Sequence, residues 1–295
     1  MANPFDEGDL GKLIPELNIG RKYLTSAADL CLIADKDELA VADDSNGVFV
    51  FDTKGSFKQH LPNLADASSI CYNQLTKQLI VNLVKPVATE DDPFGTLIFL
   101  NCHSFLEEKR LDVPAEPKLD RAYTRWITCD PKTGHLFLAA GNNTKAILFK
   151  LDIHSFQWQL IIERPGDLEH PSVLQYADDA PVLLLTSWDE AEDWRIIKIC
   201  LDSEYKVKSE TTLIAAGLGI GVQEPWVAVM DSEEKLYVYD YKTGMVWMLR
   251  KPYMSRPGTP VCHIGFGQWI TLELIENQWL FACSSDLIYG VSLKK

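Results

Sequence analysis

Three clusters of carboxylates stand out among the residues able to do chemistry: Asp43-Asp44, Glu90-Asp91-Asp92, and Asp189, Glu190, Glu192 and Asp193. Aromatic side chains flank two of them, with Phe94 after the second and Trp188 and Trp194 around the third. This combination suits capture of a cationic partner. Carboxylates attract Lys and Arg over roughly a Debye length, and aromatic rings hold them once water is displaced. Clustered carboxylates also suit Ca2+, which takes about six to eight oxygens. No spaced calcium loop is present, so neither metal nor cofactor is expected. The plainer alternative for such clusters is a solvated surface. Covalent chemistry finds less support. His60, His103, His135, His154, His170 and His263 lack metal-site spacing, no GxSxG elbow occurs, and no glycine-rich phosphate loop opens a helix. The seven cysteines, Cys31, Cys71, Cys102, Cys129, Cys200, Cys262 and Cys283, contain no CxxC and sit mostly in apolar runs. They read as small core residues in a reducing compartment.

The elements that must position these groups are strands. Residues 27–61 hold three short apolar runs, LCLIAD, ELAVAD and VFVFD, each too short and too rich in Val, Leu, Ile and Phe for an amphipathic helix. Asn46-Gly47 marks a tight hairpin between the second and third runs, because both residues tolerate positive φ. TKG then turns the chain into SFKQHL. Four antiparallel strands in this space make one propeller blade, which cannot bury its own faces and must recur.

The rhythm recurs at 126–162 with DPKTG and NNT turns, and less regularly in four further segments. The segments 85–95, 112–122, 163–171 and 251–260 read as insertions or links. The last segment, WITLELIENQWLFACSSDLIYGVSL, supplies three strands. GRKYLT (20–25) is expected to supply the fourth and close the ring, leaving no free sheet edge. The predicted fold is all-β: a six-bladed propeller of four-stranded antiparallel blades spanning 20–295, with 1–19 as a tail lying over it. Trp126, Trp226, Trp269 and Trp279 are expected in the core between blades, and Trp188 in solvent. For Trp194 the competing expectation is a strand start packed between blades.

VADDSNGVFVFDTKGSF in the first blade resembles the NHL repeat, with Asp43, Asn46, Val50, Phe51, Asp52, Gly55 and Phe57 at the matching places. The arginine usual after the Asn-His pair is replaced; Gly47 and Val48 stand there. Elsewhere the likeness is architectural. The resemblance implies a six-bladed propeller, like those ending TRIM-NHL proteins, that binds protein or RNA on one face. Fold analogy does not carry function by itself.

In a four-stranded blade the loop joining strands two and three shares a face of the disc with the loops joining successive blades. Grouped this way, that face is expected to carry Asp43, Asp44, Glu90, Asp91, Asp92, Asp189, Glu190, Glu192, Asp193, Asp231, Glu233, Glu234 and Asp286. Only Lys85, Lys145, Arg195 and Lys235 oppose them. The net charge of −14 also opposes binding to phosphate backbones. The expected function is a non-enzymatic interaction module or scaffold, monomeric and cytoplasmic, or alternatively nuclear. Its protein partner should carry a basic or extended segment, docked on Asp43, Asp44, Glu90, Asp91, Asp92, Phe94, Trp188, Asp189, Glu190, Glu192, Asp193 and Trp194. No RING, B-box or coiled-coil segment is present, no apolar run is long enough to span a membrane, and the N-terminal stretch lacks a signal pattern. The alternatives are an RNA-binding propeller and a calcium-dependent lactonase-type hydrolase. For the latter, Asn82 is the one channel candidate.

Overall fold

The computed structural model describes residues 17–84, 95–114, 123–141, 145–177, 180–188, 193–217, 220–265, 270–275 and 278–293. The chain forms six four-stranded antiparallel sheets. A short strand β1 (Leu17–Ile19) comes first. The first blade is β2 (Ala27–Ile33), β3 (Glu38–Asp43), β4 (Gly47–Asp52) and β5 (Phe57–Leu61). The second is β6 (Ala67–Asn73), β7 (Gln78–Val84), β8 (Gly95–Asn101) and β9 (Glu107–Asp112). The third is β10 (Tyr123–Cys129), β11 (Leu136–Gly141), β12 (Ala146–Asp152) and β13 (Gln157–Arg164). The fourth is β14 (Asp167–Ala177), β15 (Ala180–Trp188), β16 (Arg195–Leu201) and β17 (Val207–Ala215). The fifth is β18 (Pro225–Met230), β19 (Leu236–Asp240), β20 (Met245–Leu249) and β21 (Thr259–His263). The sixth joins β22 (Thr271–Ile275), β23 (Trp279–Ser284) and β24 (Leu287–Ser292) to β1.

The apolar runs are continuous rather than alternating because both faces of every blade are buried. In β3, Leu39 and Val41 pack toward the sixth blade, while Ala40 and Ala42 pack toward the second. In β4, Phe49 and Phe51 take the first side and Val48 and Val50 the other. The period of two in a strand divides each run between two interfaces. The hydrophobic core is accordingly split into layers, one between each pair of neighbouring blades. Among the described residues no helix is long and apolar enough to cross a membrane.

Asx turns set the repeat. After the third strand of the first four blades, Asp52, Asn101, Asp152 and Asp202 each accept two backbone N–H bonds from the turn, at 2.7–3.2 Å. Asp52, one of the NHL-matching residues, is therefore a turn builder. Gly47 has φ +94°, as a tight Asn-Gly hairpin requires.

The ring closes by pairing the N-terminal strand with the last blade, Leu17–Ile19 against Ile288–Gly290. The closing strand lies three residues before the expected GRKYLT. Gly20 has φ +90°, and the N–H groups of Tyr23 and Leu24 both bond to its carbonyl, so that segment is a turn. Two further boundaries differ. β14 begins at Asp167, inside the expected 163–171 link. β21 runs through Thr259-Pro260, at the end of the expected 251–260 link. An outer strand tolerates proline because one edge of its ladder is free. Since the fifth blade starts at Pro225, the DSEEK segment joins its first two strands. Asp231, Glu233 and Glu234 thus lie on the face opposite to the one predicted.

Candidate interaction face and central shaft

On the face built by interblade and second-to-third loops, two aspartates at equivalent positions act as clasps. Asp43, at the end of β3, is fully buried. One of its oxygens accepts the Thr25 and Ser26 N–H groups at 2.8 and 3.0 Å, the other those of Ser45 and Asn46 at 3.1 and 3.0 Å. Asp240, at the end of β19, does the same for Gln223 and Glu224, at 3.1 and 2.9 Å, and for Thr243 Oγ1 at 2.7 Å. Each ties the entry loop of its blade to the following turn. Asp43, expected to face a partner, is thereby engaged with its own backbone: carboxylates that accept several N–H bonds are strong structural ties.

Other acids on this face are free to meet solvent. Asp44 is exposed, and its carboxyl is pushed above the ordinary range by partial burial and by the charges of Asp66 and Asp43. Glu224 is raised likewise, by partial burial and then by Asp193 and Asp240, with Lys242 opposing. Asp193 is exposed at φ +61°, its carboxylate accepting the Trp194 N–H at 2.9 Å. Glu90, Asp91, Asp92, Phe94, Asp189, Glu190, Glu192 and Trp269 lie outside the described residues.

Beside Asp193 and Glu224 runs a row of rings. Trp188 and Trp194 have centroids 6.3 Å apart, and Trp194 lies 4.8 Å from Trp226. Trp226 contacts Tyr241 at 5.2 Å and His170 at 6.1 Å, and His170 lies tilted against Trp126 with ring centroids 3.8 Å apart. Trp188 is half-buried against this row instead of standing in solvent, and Trp194 both precedes β16 and packs between blades. Trp226 is buried between blades as expected and Trp279 packs there half-buried, whereas Trp126 is buried in the wall of the central shaft instead.

The row leads from the rim toward a central shaft of about 190 Å³, walled by the innermost strands of all six blades. Two carboxyls face it. Asp29 accepts the Leu30 and Ile70 N–H groups, each at 2.9 Å, and burial pushes its pKa up to about 7. Glu273 is raised to about 8, first by burial and then by the Asp29 charge, while the Leu32 N–H pulls it down. Glu273 is half-buried and lines the shaft. Burial also pushes the thiols of Cys31, Cys71 and Cys129 up, the last to about 12, which keeps them protonated and unreactive. Neither shaft carboxyl was singled out from sequence. The available signal is an acid inside an apolar inner-strand run, AADLCLI and TLELI.

The lactonase alternative requires calcium in this shaft, and the residues do not fit it. Asn82 does not line the shaft; it is buried on β7 with its amide donating to Ser68 Oγ at 3.2 Å. Both oxygens of Asp29 already accept N–H bonds, which leaves Glu273 as the other carboxylate for an ion that takes about six to eight oxygens. Among the described residues no group of three or more His, Cys, Asp or Glu side chains is placed to hold a metal.

No family model matches the chain, and no curated protein matches it. Solved structures do. An auxiliary nutrient binding protein from Bacteroides thetaiotaomicron is 11% identical over 91% of this chain and 70% of its own, with TM-score 0.63. A luciferin-regenerating enzyme is 10% identical over 94% and 96%, with TM-score 0.64. A gluconolactonase from Xanthomonas campestris is 10% identical over 91% and 86%, with TM-score 0.62. At such identities the likeness defines the fold, a six-bladed β-propeller, and nothing finer.

Proposed function

We propose that this propeller is a non-enzymatic interaction module, acting in the cytoplasm, that captures a protein partner through a basic, extended segment. The segment lies over the interblade face of the fourth and fifth blades. The observation that carries this reading is the row Trp188–Trp194–Trp226–Tyr241 beside Asp193 and Glu224. The Glu224 carboxyl is lifted by partial burial and then by Asp193 and Asp240, and an incoming cation relieves the latter part. The rings offer desolvated contact to an Arg or Lys stem, including cation–π contact. Asp44, Glu90, Asp91, Asp92 and Phe94 extend the same face toward the first two blades in this reading. The blade-one residues further support descent from NHL propellers that bind proteins. The acidic face disfavours the RNA-binding branch of that resemblance.

The test is capture of the partner from native cells by the full chain, followed by association kinetics at two ionic strengths. Replacing Asp189, Glu190, Glu192 and Asp193 by their amides should slow association and flatten its salt dependence, because steering acts mainly on the on-rate. Trp188→Ala should speed dissociation, on the order of 1–3 kcal/mol if the ring is a hot spot. Undiminished binding by both variants would place the site elsewhere.

A further inference from the structure

We propose that the outer flank of the first blade, beside the ring closure, is a second docking surface, and that its occupant is an acidic protein segment carrying large apolar side chains. The turn after the third strand explains why this flank is open. In the second, third and fourth blades that turn holds an aromatic residue at positive φ, Phe105, Phe156 or Tyr205. Each ring is tucked against a lysine of the preceding blade, Lys36, Lys109 or Lys150. In the first blade Gly55 stands in the turn at φ +97°, where a Cβ would meet Ile19 at 3.0 Å. The aromatic residue, Phe57, comes two positions later and stacks on Tyr23, with centroids 4.7 Å and planes 12° apart. β1, three residues long, adds Ile19 to the core layer of Phe49 and Phe51 and leaves the stacked pair in water. Phe57 is 41% exposed and Tyr23 42%. Single exposed apolar side chains are common, whereas clustered aromatic rings are what interface centres are enriched in.

The charge around the pair is positive. Arg21 and Lys22 adjoin Tyr23, Lys54 precedes Phe57, and all are exposed. Among the described residues none of these cations enters an ion pair, whereas Lys58 is held by Asp52 at 3.3 Å. Asp37 reaches the same turn and accepts from Thr53 Oγ1 at 3.0 Å. On a chain of −14 this is a local reversal of sign. Charge complementarity selects the occupant: a few carboxylates meet Arg21, Lys22 and Lys54, while apolar side chains lie on the rings. A nucleic acid would meet the same cations but bring its whole phosphate backbone against an acidic chain. The flank is separate from the interblade face of the fourth and fifth blades, so the disc can hold two segments of opposite charge, as a scaffold does.

The experiment titrates the full chain by calorimetry with a hexapeptide alternating Glu and Phe, at about 50 mM and about 500 mM salt. Separate arms use hexapeptides alternating Lys and Phe or Glu and Ser, and single-stranded RNA. The expected result is saturable binding of the Glu-Phe peptide at one site per chain, weaker at the higher salt, with no measurable binding of the controls. Phe57→Ala, and the pair Arg21→Glu with Lys22→Glu, should each weaken it at least about fivefold. Circular dichroism checks that each variant folds, and Tyr23→Ala repeats the aromatic test if Phe57→Ala does not. Trp188→Ala should leave the titration unchanged, which keeps this surface distinguishable from the interblade face. Absence of binding at about 1 mM peptide, equal or tighter binding of any control, undiminished binding by the flank variants, or loss of binding in Trp188→Ala would each overturn the proposal. So would a gain of about tenfold on replacing Asp6, Glu7 and Asp9, which lie outside the described residues, by their amides, because the chain's own N-terminal segment would then be the occupant.

Discussion

Asp29 is the residue at which folding and protonation are most tightly linked. Its carboxyl titrates near 3.8 when exposed and near 7 in the shaft. Between those values the folded chain keeps a proton that the unfolded chain has lost. Stability contributed by the protonated carboxyl is full below about pH 4 and is lost as the pH rises through about 7. Glu273, moved from 4.5 to about 8, acts with the same sign over a slightly higher window. At 1.36 kcal/mol per unit, Asp29 alone accounts for at most about 4 kcal/mol, and water in the shaft reduces this. Asp29→Asn should therefore flatten the fall in melting temperature between pH 5 and pH 8.5, whatever it does to absolute stability. Thermal scans at three pH values check this, and an unchanged slope would refute it. The buried thiols give a second expectation. Cys31, Cys71 and Cys283, all held well above the ordinary thiol range by burial, should resist iodoacetamide at pH 8 in the native protein and react once it is unfolded in urea. Five of the seven cysteines, Cys31, Cys71, Cys102, Cys262 and Cys283, were legible as core residues because they sit in apolar runs, while Cys129 and Cys200 are half-buried. The shaft carboxyls were not legible, because an acid within a strand run reads equally well as a solvent-facing position. Only ring closure turns inner strands toward a common axis.

At the scale of the element, β1 carries the ring closure with three residues. Ile19 is 2% exposed and packs with Leu24, Phe51, Phe281 and Ile288. Its full burial is worth ~1.5–3 kcal/mol, and removing the strand also frees the ladder edge of β24. Deleting residues 1–19 should lower the melting temperature by several degrees and promote association through the exposed edge. Ile19→Ala should cost ~2–4 kcal/mol in urea titration. A truncated chain that melts like the full one would refute the closure. Closure was legible in the sequence as a shortage of strands in the last blade, yet its position was displaced to GRKYLT. Tyr23 and Leu24 look like strand residues, and the turn at Gly20 is set by positive φ and by packing against Leu24, which no local periodicity reveals. β21 was missed for the opposite reason, because Pro257 and Pro260 signal a loop wherever a strand's edge position is unknown. That miss moved DSEEK to the wrong face. Loop grouping is only as good as the strand count before it.

At the scale of the whole molecule, charge separates the two binding readings of the six-bladed disc. The chain carries −14, and on the interblade face Asp44 and Glu224 hold their protons more tightly than usual, first through partial burial and then through their acidic neighbours. A phosphate backbone brought to that face would add like charge to carboxyls that are unfavourably crowded. It would release few counterions, because condensed cations leave only when Lys or Arg replaces them. Non-specific nucleic-acid binders reach dissociation constants of ~10⁻⁴–10⁻⁶ M at physiological salt through such replacements. This propeller should fall short of that range. Mobility-shift titration of single-stranded RNA at about 150 mM salt should show no complex through the micromolar range, up to about 100 μM protein, and lowering the salt should not produce the steep gain typical of basic grooves. The informative contrary result is a sub-micromolar, sequence-dependent shift that survives Trp188→Ala. That outcome would move the binding surface to the opposite face, where Lys235, Arg250 and Lys251 gather beside Glu233 and Glu234, and would rank RNA above a basic protein segment as the partner.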